Sequence, residues 1–198
     1  MSDRDSDTVP DGGVARPPPA ADGRSDYQYV SDDVERPALV DALEARVDGE
    51  VRFDTYTKQL YATDASAYEV TPIGVVFPTS TADVASVVSY CADEELPVLP
   101  RGGGTSLAGQ TVNEAVVLDF TRHMDAVRSV DPDAREARVQ PGTVLSELNH
   151  RAAEHDLRFG PDPAAGDRSA IGGAIGNNST GAHSLIYEKT DHYVETAE

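Results

Sequence analysis

The sequence is poor in cysteine, tryptophan and lysine. Cys91 is the only cysteine, and tryptophan is absent from the 198 residues. A lone cysteine excludes an internal disulfide, a thiolate zinc site and iron–sulfur ligation by this chain alone. The histidines show no pair at metal-ligand spacing backed by carboxylates, so we predict no metal site. This cysteine usage fits a reducing compartment, and we predict a cytoplasmic location.

Positive charge is scarce as well. The chain has 35 Asp and Glu against 16 Lys and Arg, a formal net charge of −19, and its lysines are Lys58 and Lys189. Such a surface repels a polyanion and offers no basic stripe that releases counterions, which excludes nucleic acid as the expected partner. Because concentrated ions screen self-repulsion, the same surface predicts a salt-adapted acidic protein.

Long apolar runs are also missing. No run approaches the roughly 20 apolar residues of a membrane-spanning helix, so we predict no membrane span. Residues 1–26 are rich in aspartate and proline, have no aromatic residue and lack the apolar core of a secretory signal. This composition cannot bury enough apolar surface to offset the entropy of ordering. It predicts a disordered acidic tail over residues 1–26.

Periodic apolar spacing begins after the tail. Residues 27–70 are predicted to be a helical lead-in segment, with a helix over residues 34–47 that has Pro37 in its first turn. A buried strand is predicted over residues 72–78. The helix after it is predicted to begin at Ser80 or Thr81 and to bury one face that comprises Val84, Val87, Val88 and Cys91.

A strand, glycine turn and helix then recur along the chain. Strands are predicted over residues 98–100, 115–119 and 137–140, the last one ending at Pro141 and Gly142. The following helix should bury one side that comprises Leu145, Leu148, Ala152 and His155. Residues 160–181 are rich in glycine and small polar side chains, and we predict that they contribute little to a core.

The most informative motif is the glycine run after the strand at residues 98–100. Three consecutive glycines let the backbone approach a ligand and aim successive N–H groups at an anion such as a pyrophosphate. A dinucleotide fingerprint starting at Gly102 fails because Leu107 stands where glycine is needed. A P-loop starting at Gly104 fails because Gln110 stands in place of the lysine. By itself the run is also compatible with an ordinary glycine-rich turn.

Four motifs in order strengthen the ligand-binding interpretation. They are Pro-Arg-Gly-Gly-Gly-Thr-Ser at 100–106, Gln-Pro-Gly at 140–142, Gly-Pro-Asp-Pro at 160–163 and Ser-Ala-Ile-Gly-Gly-Ala-Ile-Gly-Asn-Asn at 169–178. In this combination the sequence resembles the FAD-linked oxidases of the PCMH or vanillyl-alcohol oxidase type. Its nearest resemblance is to FAD-linked D-lactate, glycolate and D-2-hydroxyglutarate dehydrogenases.

The resemblance implies an α+β fold, a PCMH-type FAD-binding domain over residues 71–198. It would consist of two α/β subdomains, of which the second is truncated. The implied cofactor-binding residues are Pro100, Arg101, Gly102, Gly103, Gly104, Thr105, Ser106 and Gln110 for the pyrophosphate; Pro141, Gly142, Asp162, Pro163, Ser169, Ile171, Gly172 and Gly173 along the cofactor; Asn177, Gly181 and His183 near the flavin ring; and Val194 at the adenine end.

The implied function is that of an oxidoreductase whose FAD accepts a hydride from a small 2-hydroxy acid. We predict non-covalent FAD, because Thr105 stands where relatives that tether the flavin often place a histidine. The sequence itself names no catalytic base. The alternative is a non-catalytic FAD-binding fragment, or a subunit that needs a partner chain carrying a substrate domain or an iron–sulfur domain.

Overall fold

Four short strands form the main sheet of the computed structural model, which describes residues 36–198. The strand order is β1-β2-β4-β3. β1 (Glu50–Arg52) lies antiparallel to β2 (Gly74–Phe77), whereas β4 (Val116–Asp119) is parallel to both β2 and β3 (Val98–Arg101). Every residue of β2 and β4 is buried, as expected for central parallel strands. The strands predicted over residues 72–78, 98–100 and 115–119 are confirmed as β2, β3 and β4.

Three helices pack against this sheet, α1 (Pro37–Glu44), α2 (Thr55–Tyr61) and α3 (Thr81–Asp93). Tyr61 of α2 contacts a small cluster of Val75, Phe77 and Val117, whereas the main core lies between the sheet and the helices α1 and α3. Residues from before position 70 take part, and the buried cluster comprises Leu39, Leu43, Phe53, Val76, Val87, Cys91, Val116 and Leu118. Residues 37–53 therefore pack into the same core as the strands that follow them.

The structure confirms the starts of α1 and α3 and corrects the end of α1 and one residue of the buried face of α3. Pro37 is in the first turn of α1, but this helix ends at Glu44 and not at residue 47. Ser80 caps α3 by accepting a hydrogen bond from the amide of Asp83. Cys91 is fully buried, as predicted, whereas Val88 is 44% exposed and does not belong to the buried face.

A second layer is built from a two-stranded sheet and a helix. β5 (Val127–Asp131) pairs antiparallel with β6 (Glu136–Val139), and α4 (Leu145–Ala153) contacts β5. The sequence analysis missed β5, because its polar and apolar residues do not alternate cleanly. Leu145, Leu148 and Ala152 are buried as predicted, but His155 lies beyond the end of α4 and is exposed.

The glycine-rich stretch over residues 160–181 contributes more to the core than expected. It contains α5 (Ile171–Gly176), and Ile171 and Ala174 join Leu145 and Leu148 in a second buried cluster. Pro161 is also fully buried. Small side chains permit this because they allow segments to pack backbone against backbone. α6 (Ser184–Tyr187) and a 3₁₀ turn (Thr190–Tyr193) follow.

The disordered tail predicted for residues 1–26 lies outside the described residues. Between residues 36 and 198, no helix is long and apolar enough to cross a membrane.

Asp83 ties the start of α3 to two neighbouring turns. Its carboxylate accepts hydrogen bonds from the amide and hydroxyl of Thr79, both at 2.8 Å, and from the amide of Asp48 at 3.2 Å. Burial acts to raise the pKa of Asp83, but these hydrogen bonds outweigh it and hold the pKa below the ordinary value of 3.8. The ionised carboxylate therefore stabilises the fold.

We expect Asp83→Ala to lower the free energy of unfolding by about 2 kcal/mol at pH 7, since buried amides lose their acceptor. A carboxyl whose pKa is lowered on folding contributes stability above its unfolded pKa of about 4, and this contribution is lost as the pH falls through its folded pKa. Urea unfolding at pH 7 and pH 3 should show the difference from the wild type shrinking in acid. Asp93→Ala, at the exposed end of the same helix, is the control and should change stability by less than about 0.5 kcal/mol. An undiminished difference at pH 3 would refute the assignment.

Candidate cofactor site

The loop over residues 102–110 follows β3 at the carboxyl edge of the parallel strands, where open α/β sheets bind ligands. Within the described part of the chain, the backbone N–H groups of residues 102–107 donate to no acceptor. Gly104 and Gly109 have φ angles of 63° and 73°, which side-chain-bearing residues rarely adopt. Successive unpaired amides in a turn are the groups from which anion-binding nests are built.

This loop packs directly against residues 168–170. A Cβ on Gly103 would lie 2.0 Å from the carbonyl oxygen of Arg168, and a Cβ on Gly102 would lie 2.8 Å from the Cβ of Ala170. The hydroxyls of Thr105 and Ser169 are 3.0 Å apart and hydrogen-bonded. The first and fourth sequence motifs therefore meet, and Gly102 and Gly103 are needed for this close approach.

The second motif lies against the same segment. The amide of Gly172 donates to the carbonyl of Pro141 at 2.8 Å, and the amide of Ile171 donates to the carbonyl of Thr143 at 2.8 Å. A Cβ on Gly142 would lie 2.0 Å from the carbonyl oxygen of Phe120. Residues 141–143, 169–173 and the loop 102–110 thus form one continuous backbone surface.

Gly173 differs from the other glycines of this surface. Apart from its chain neighbours and the backbone of its own helix, no atom of the described residues lies within 4 Å of the position that its Cβ would occupy, and the same holds for Gly176. Protein packing therefore does not explain glycine at position 173. Its amide nitrogen lies 4.0 Å from the position that a Cβ on Gly102 would occupy, beside the loop. A glycine at this position leaves α5 open to the close approach of a ligand.

Asp162, Gly181 and His183 form a second group. Asp162 pairs with Arg158 at 3.0 Å and with Nδ1 of His183 at 3.4 Å. Gly181 packs against the backbone of Asp162, which leaves no space for a Cβ. Among the described residues, no hydrogen bond or ion pair joins this group to the loop 102–110. Asp162 and Pro163 also line an open groove beside α4 that contains no residue of the loop.

The remaining predicted site residues are placed as follows. Pro100 is exposed on the edge strand β3, where a missing N–H is tolerated. The Ser106 hydroxyl accepts hydrogen bonds from the amides of Ala108 and Gln110 and contacts the Gln110 side chain. Asn177 donates to the carbonyl of Gly173 at 3.1 Å. Val194 is half-buried at the end of the 3₁₀ turn.

Sequence reasoning missed a buried polar group beneath the loop. The guanidinium of Arg101 donates to the carbonyls of Thr63 and Thr111, each at 2.8 Å. The Tyr61 hydroxyl donates to Asp119 at 2.5 Å. Burial lowers the pKa of Arg101, whereas burial and the Asp119 carboxylate raise the pKa of Tyr61. No sequence motif marks Tyr61 and Thr63, because their role depends on a contact with a residue about 40 positions away.

Residues 72–198 match the FAD binding domain family over more than half of the chain. The protein belongs to this family, its cofactor is FAD, and the PCMH-type FAD-binding fold expected from the sequence is confirmed. The residues present suit this cofactor, since a nest of unpaired amides and an open glycine face can receive its pyrophosphate.

Known relatives are much longer than this chain. It is 36% identical over 151 residues to the D-2-hydroxyglutarate dehydrogenase of Pseudomonas putida, covering 74% of this chain and 15% of that protein. It is 31% identical over 153 residues to the glycolate oxidase subunit GlcD of Bacillus subtilis, covering 75% of this chain and 33% of that protein. The solved structure of alkyldihydroxyacetonephosphate synthase covers 80% of this chain with a TM-score of 0.70, and 35% of that structure is covered. At 22% identity, this last likeness shows the fold alone.

Proposed function

We propose that the chain is the FAD-binding portion of a flavin-dependent oxidoreductase that acts on a small 2-hydroxy acid such as D-lactate, glycolate or D-2-hydroxyglutarate. The observation that carries this proposal is the nest of unpaired amides over residues 102–107, set against the open face of Gly173. The names of the similar proteins, a D-2-hydroxyglutarate dehydrogenase and a glycolate oxidase subunit, support the substrate class.

The roles of the residues follow from their chemistry. The amides of residues 102–107 would bind the pyrophosphate oxygens through charge-assisted hydrogen bonds, in a nest whose curvature is set by Gly104. The hydrogen bond between Thr105 and Ser169 would hold the loop 102–110 against residues 168–173. Asn177 and His183 are proposed to lie near the flavin ring, and Val194 near the adenine. When bound, FAD supplies a hydride acceptor.

We assign no catalytic base within the described residues. Hydride removal from a 2-hydroxy acid requires the hydroxyl proton to be taken by a group within hydrogen-bond reach, and the substrate carbon to be held against the cofactor. We propose that a substrate domain, on a partner chain or on a longer form of this protein, supplies these groups. An iron–sulfur domain is a second candidate partner, and the subunit status of the similar GlcD agrees with an assembly. The cytoplasmic location and salt adaptation remain predictions.

Activity measurements test whether catalysis requires a substrate domain in addition to this chain. The purified chain with FAD and an artificial electron acceptor should not turn over a panel of D-2-hydroxy acids by itself. Turnover should begin when a chain carrying the substrate domain is added, because only then are substrate and base positioned. Robust turnover by the 198-residue chain alone would contradict the proposal. FAD binding without turnover in any combination would favour the non-catalytic alternative.

Gly173→Ala is expected to weaken FAD binding without weakening the fold. The added Cβ meets no atom outside the backbone of its own helix, and alanine is favoured over glycine in a helix by about 0.5–1 kcal/mol. If FAD approaches α5 at this position, the methyl group should raise the dissociation constant about tenfold, equivalent to ~1.4 kcal/mol. Flavin fluorescence titration and thermal unfolding measure the two effects.

Gly176→Ala is the matched control for this experiment. It makes the same change in the same helix, also in open space, but at a position that we have not placed in the site. Its melting temperature should rise like that of Gly173→Ala, and its FAD affinity should equal that of the wild type. Equal FAD affinities for the two variants would remove α5 from the cofactor site.

Bound FAD is predicted to be non-covalent. Thr105 is hydrogen-bonded to Ser169, and by family resemblance it occupies the position where relatives that tether the flavin often place a histidine. Acid precipitation should therefore release all flavin into the supernatant. Yellow colour retained by the washed, denatured pellet would disprove this prediction.

A further inference from the structure

Arg101 closes the two ends of the glycine loop. It immediately precedes residues 102–110, and its guanidinium donates at 2.8 Å to the carbonyl of Thr111, which immediately follows them. The side chain is buried, with only 8% of the residue exposed. The bridge across the mouth of the loop restricts how far its ends can separate. It therefore restricts the shapes that the loop between them can take.

The same guanidinium fixes the loop to the segment over residues 61–65. It donates to the carbonyl of Thr63 at 2.8 Å and reaches the carbonyl of Tyr61 at 3.5 Å. Two further bonds join this segment to the loop region: the amide of Ala65 donates to the carbonyl of Gly104 at 3.0 Å, and the Thr111 hydroxyl donates to Asp64 at 3.0 Å. These bonds join residues 61–65 to Arg101, Gly104 and Thr111, so the loop is fixed at both ends and at Gly104.

The guanidinium is also anchored to the sheet and supports the loop backbone directly. Its carbon lies 5.3 Å from the ring centroid of Tyr61, whose hydroxyl is bonded to Asp119 at the end of β4. A Cβ on Gly104 would lie 2.6 Å from a guanidinium nitrogen. The backbone of the loop therefore rests on the Arg101 side chain. Across the described residues, the amides of 102–107 meanwhile stay free of protein acceptors.

We infer that Arg101 is a positioning residue of the FAD site, which holds the loop 102–110 in its amide-presenting shape without itself touching the cofactor. This inference rests on the proposed binding of the pyrophosphate by that loop. It assigns residues 61–65 to the support of the site, although they precede the family match, which begins at residue 72. The family resemblance instead implies that Arg101 binds FAD directly. The two roles predict different FAD affinities for a double variant.

The test uses Arg101→Lys, Asp64→Ala and the double variant of the full chain, with FAD as the titrant. Lysine keeps the charge but lacks the planar fork that reaches two carbonyls at fixed angles. We expect Arg101→Lys to raise the FAD dissociation constant at least about tenfold. Asp64→Ala should raise it about fivefold, because the loop loses its hydrogen bond from Thr111 to Asp64; the variant also loses the bond from the Ser66 amide, which lies outside the loop. Arg128→Lys, at an exposed position of β5, is the control and should leave the affinity unchanged.

The double variant separates positioning from direct contact. If both side chains act by holding one loop, the double variant should bind FAD about as weakly as Arg101→Lys alone, since neighbouring groups of one network are not additive. Additive losses would indicate direct contact of Arg101 with FAD and would overturn the inference. Binding is measured on folded protein, well below each melting temperature. A lowered melting temperature with unchanged affinity would also overturn it, because Arg101 would then be merely structural.

Three further outcomes distinguish failure of the Arg101 role from failure of the proposed site. If Arg101→Lys does not fold, Asp64→Ala carries the test, and an unchanged FAD affinity of that variant overturns the inference. If the wild-type chain binds FAD but Gly173→Ala and both loop-support variants bind it equally well, FAD lies elsewhere and the proposed site fails. Loss of affinity in Gly173→Ala with none in Arg101→Lys would retain the site and reject the role of Arg101 alone.

Discussion

Gly103→Ala is expected to lower both the stability of the protein and its affinity for FAD. The new Cβ would lie 2.0 Å from the Arg168 carbonyl oxygen and 3.0 Å from its carbon, which are backbone atoms with little freedom to move. Overpacking of this kind costs on the order of 3 kcal/mol. The loop and residues 168–170 must separate, which also breaks the Thr105–Ser169 hydrogen bond.

The loss of FAD affinity should exceed about a hundredfold, since losing two charge-assisted hydrogen bonds of about 1.5 kcal/mol each already accounts for this factor. Urea unfolding without FAD and fluorescence titration with FAD measure the two quantities separately. Gly173→Ala provides the comparison, because the same methyl group at residue 173 meets no atom outside the backbone of its own helix. Wild-type stability in Gly103→Ala would show that the loop does not pack against residue 168.

Removal of residues 1–70 is expected to abolish folding, although it leaves the matched family residues 72–198 intact. The deletion takes away β1, α1 and the buried side chains of Leu39, Leu43 and Phe53. Truncating one such side chain typically costs about 2–5 kcal/mol, and whole domains are stable by only about 5–15 kcal/mol. It also removes the carbonyls of Tyr61 and Thr63, which accept hydrogen bonds from Arg101. Circular dichroism, urea unfolding and FAD titration should all report an unfolded chain.

Removal of residues 1–26 alone is the control for this deletion. These residues are the predicted disordered tail, so the unfolding midpoint and the FAD affinity should match those of the full chain. A deletion variant starting at residue 71 that unfolds cooperatively and binds FAD with wild-type affinity would refute the contribution of residues 37–65 to the core and to the site.

The accuracy of the sequence predictions depended on the range of the interactions concerned. The cap at Ser80 and the first-turn position of Pro37 were predicted correctly, because both depend on residues within one helical turn. The buried β2 and β4 were predicted from their continuous apolar runs. Val88 and His155 were assigned wrongly, since helical spacing alone does not show where a neighbouring element stops covering a face.

The glycine motifs show the same distinction. Their order along the chain was enough to recognise an FAD-binding family, which the family match confirms. The sequence did not show that Gly102 and Gly103 are required by packing against residues 168–170, whereas Gly173 faces open space. This difference depends on which backbone lies opposite each glycine. Local spacing carries no such information.

The sequence by itself determined the cofactor family, the acidic composition and the elements α1, α3, α4, β2, β3, β4 and β6, because composition, apolar period and motif order are local properties. It did not reveal α2, α5, β1 or β5. Only the tertiary structure decided how the loop at residues 102–110 is supported. Arg101 reaches carbonyls of Thr63 and Thr111, and Thr105 reaches Ser169, across sequence separations of up to 64 residues. Such pairings form only when the sheet and its helices bring distant segments together. The carbonyl partners of Arg101 leave no mark in the sequence, since every residue has a backbone carbonyl, and local spacing does not show which hydroxyl faces Thr105.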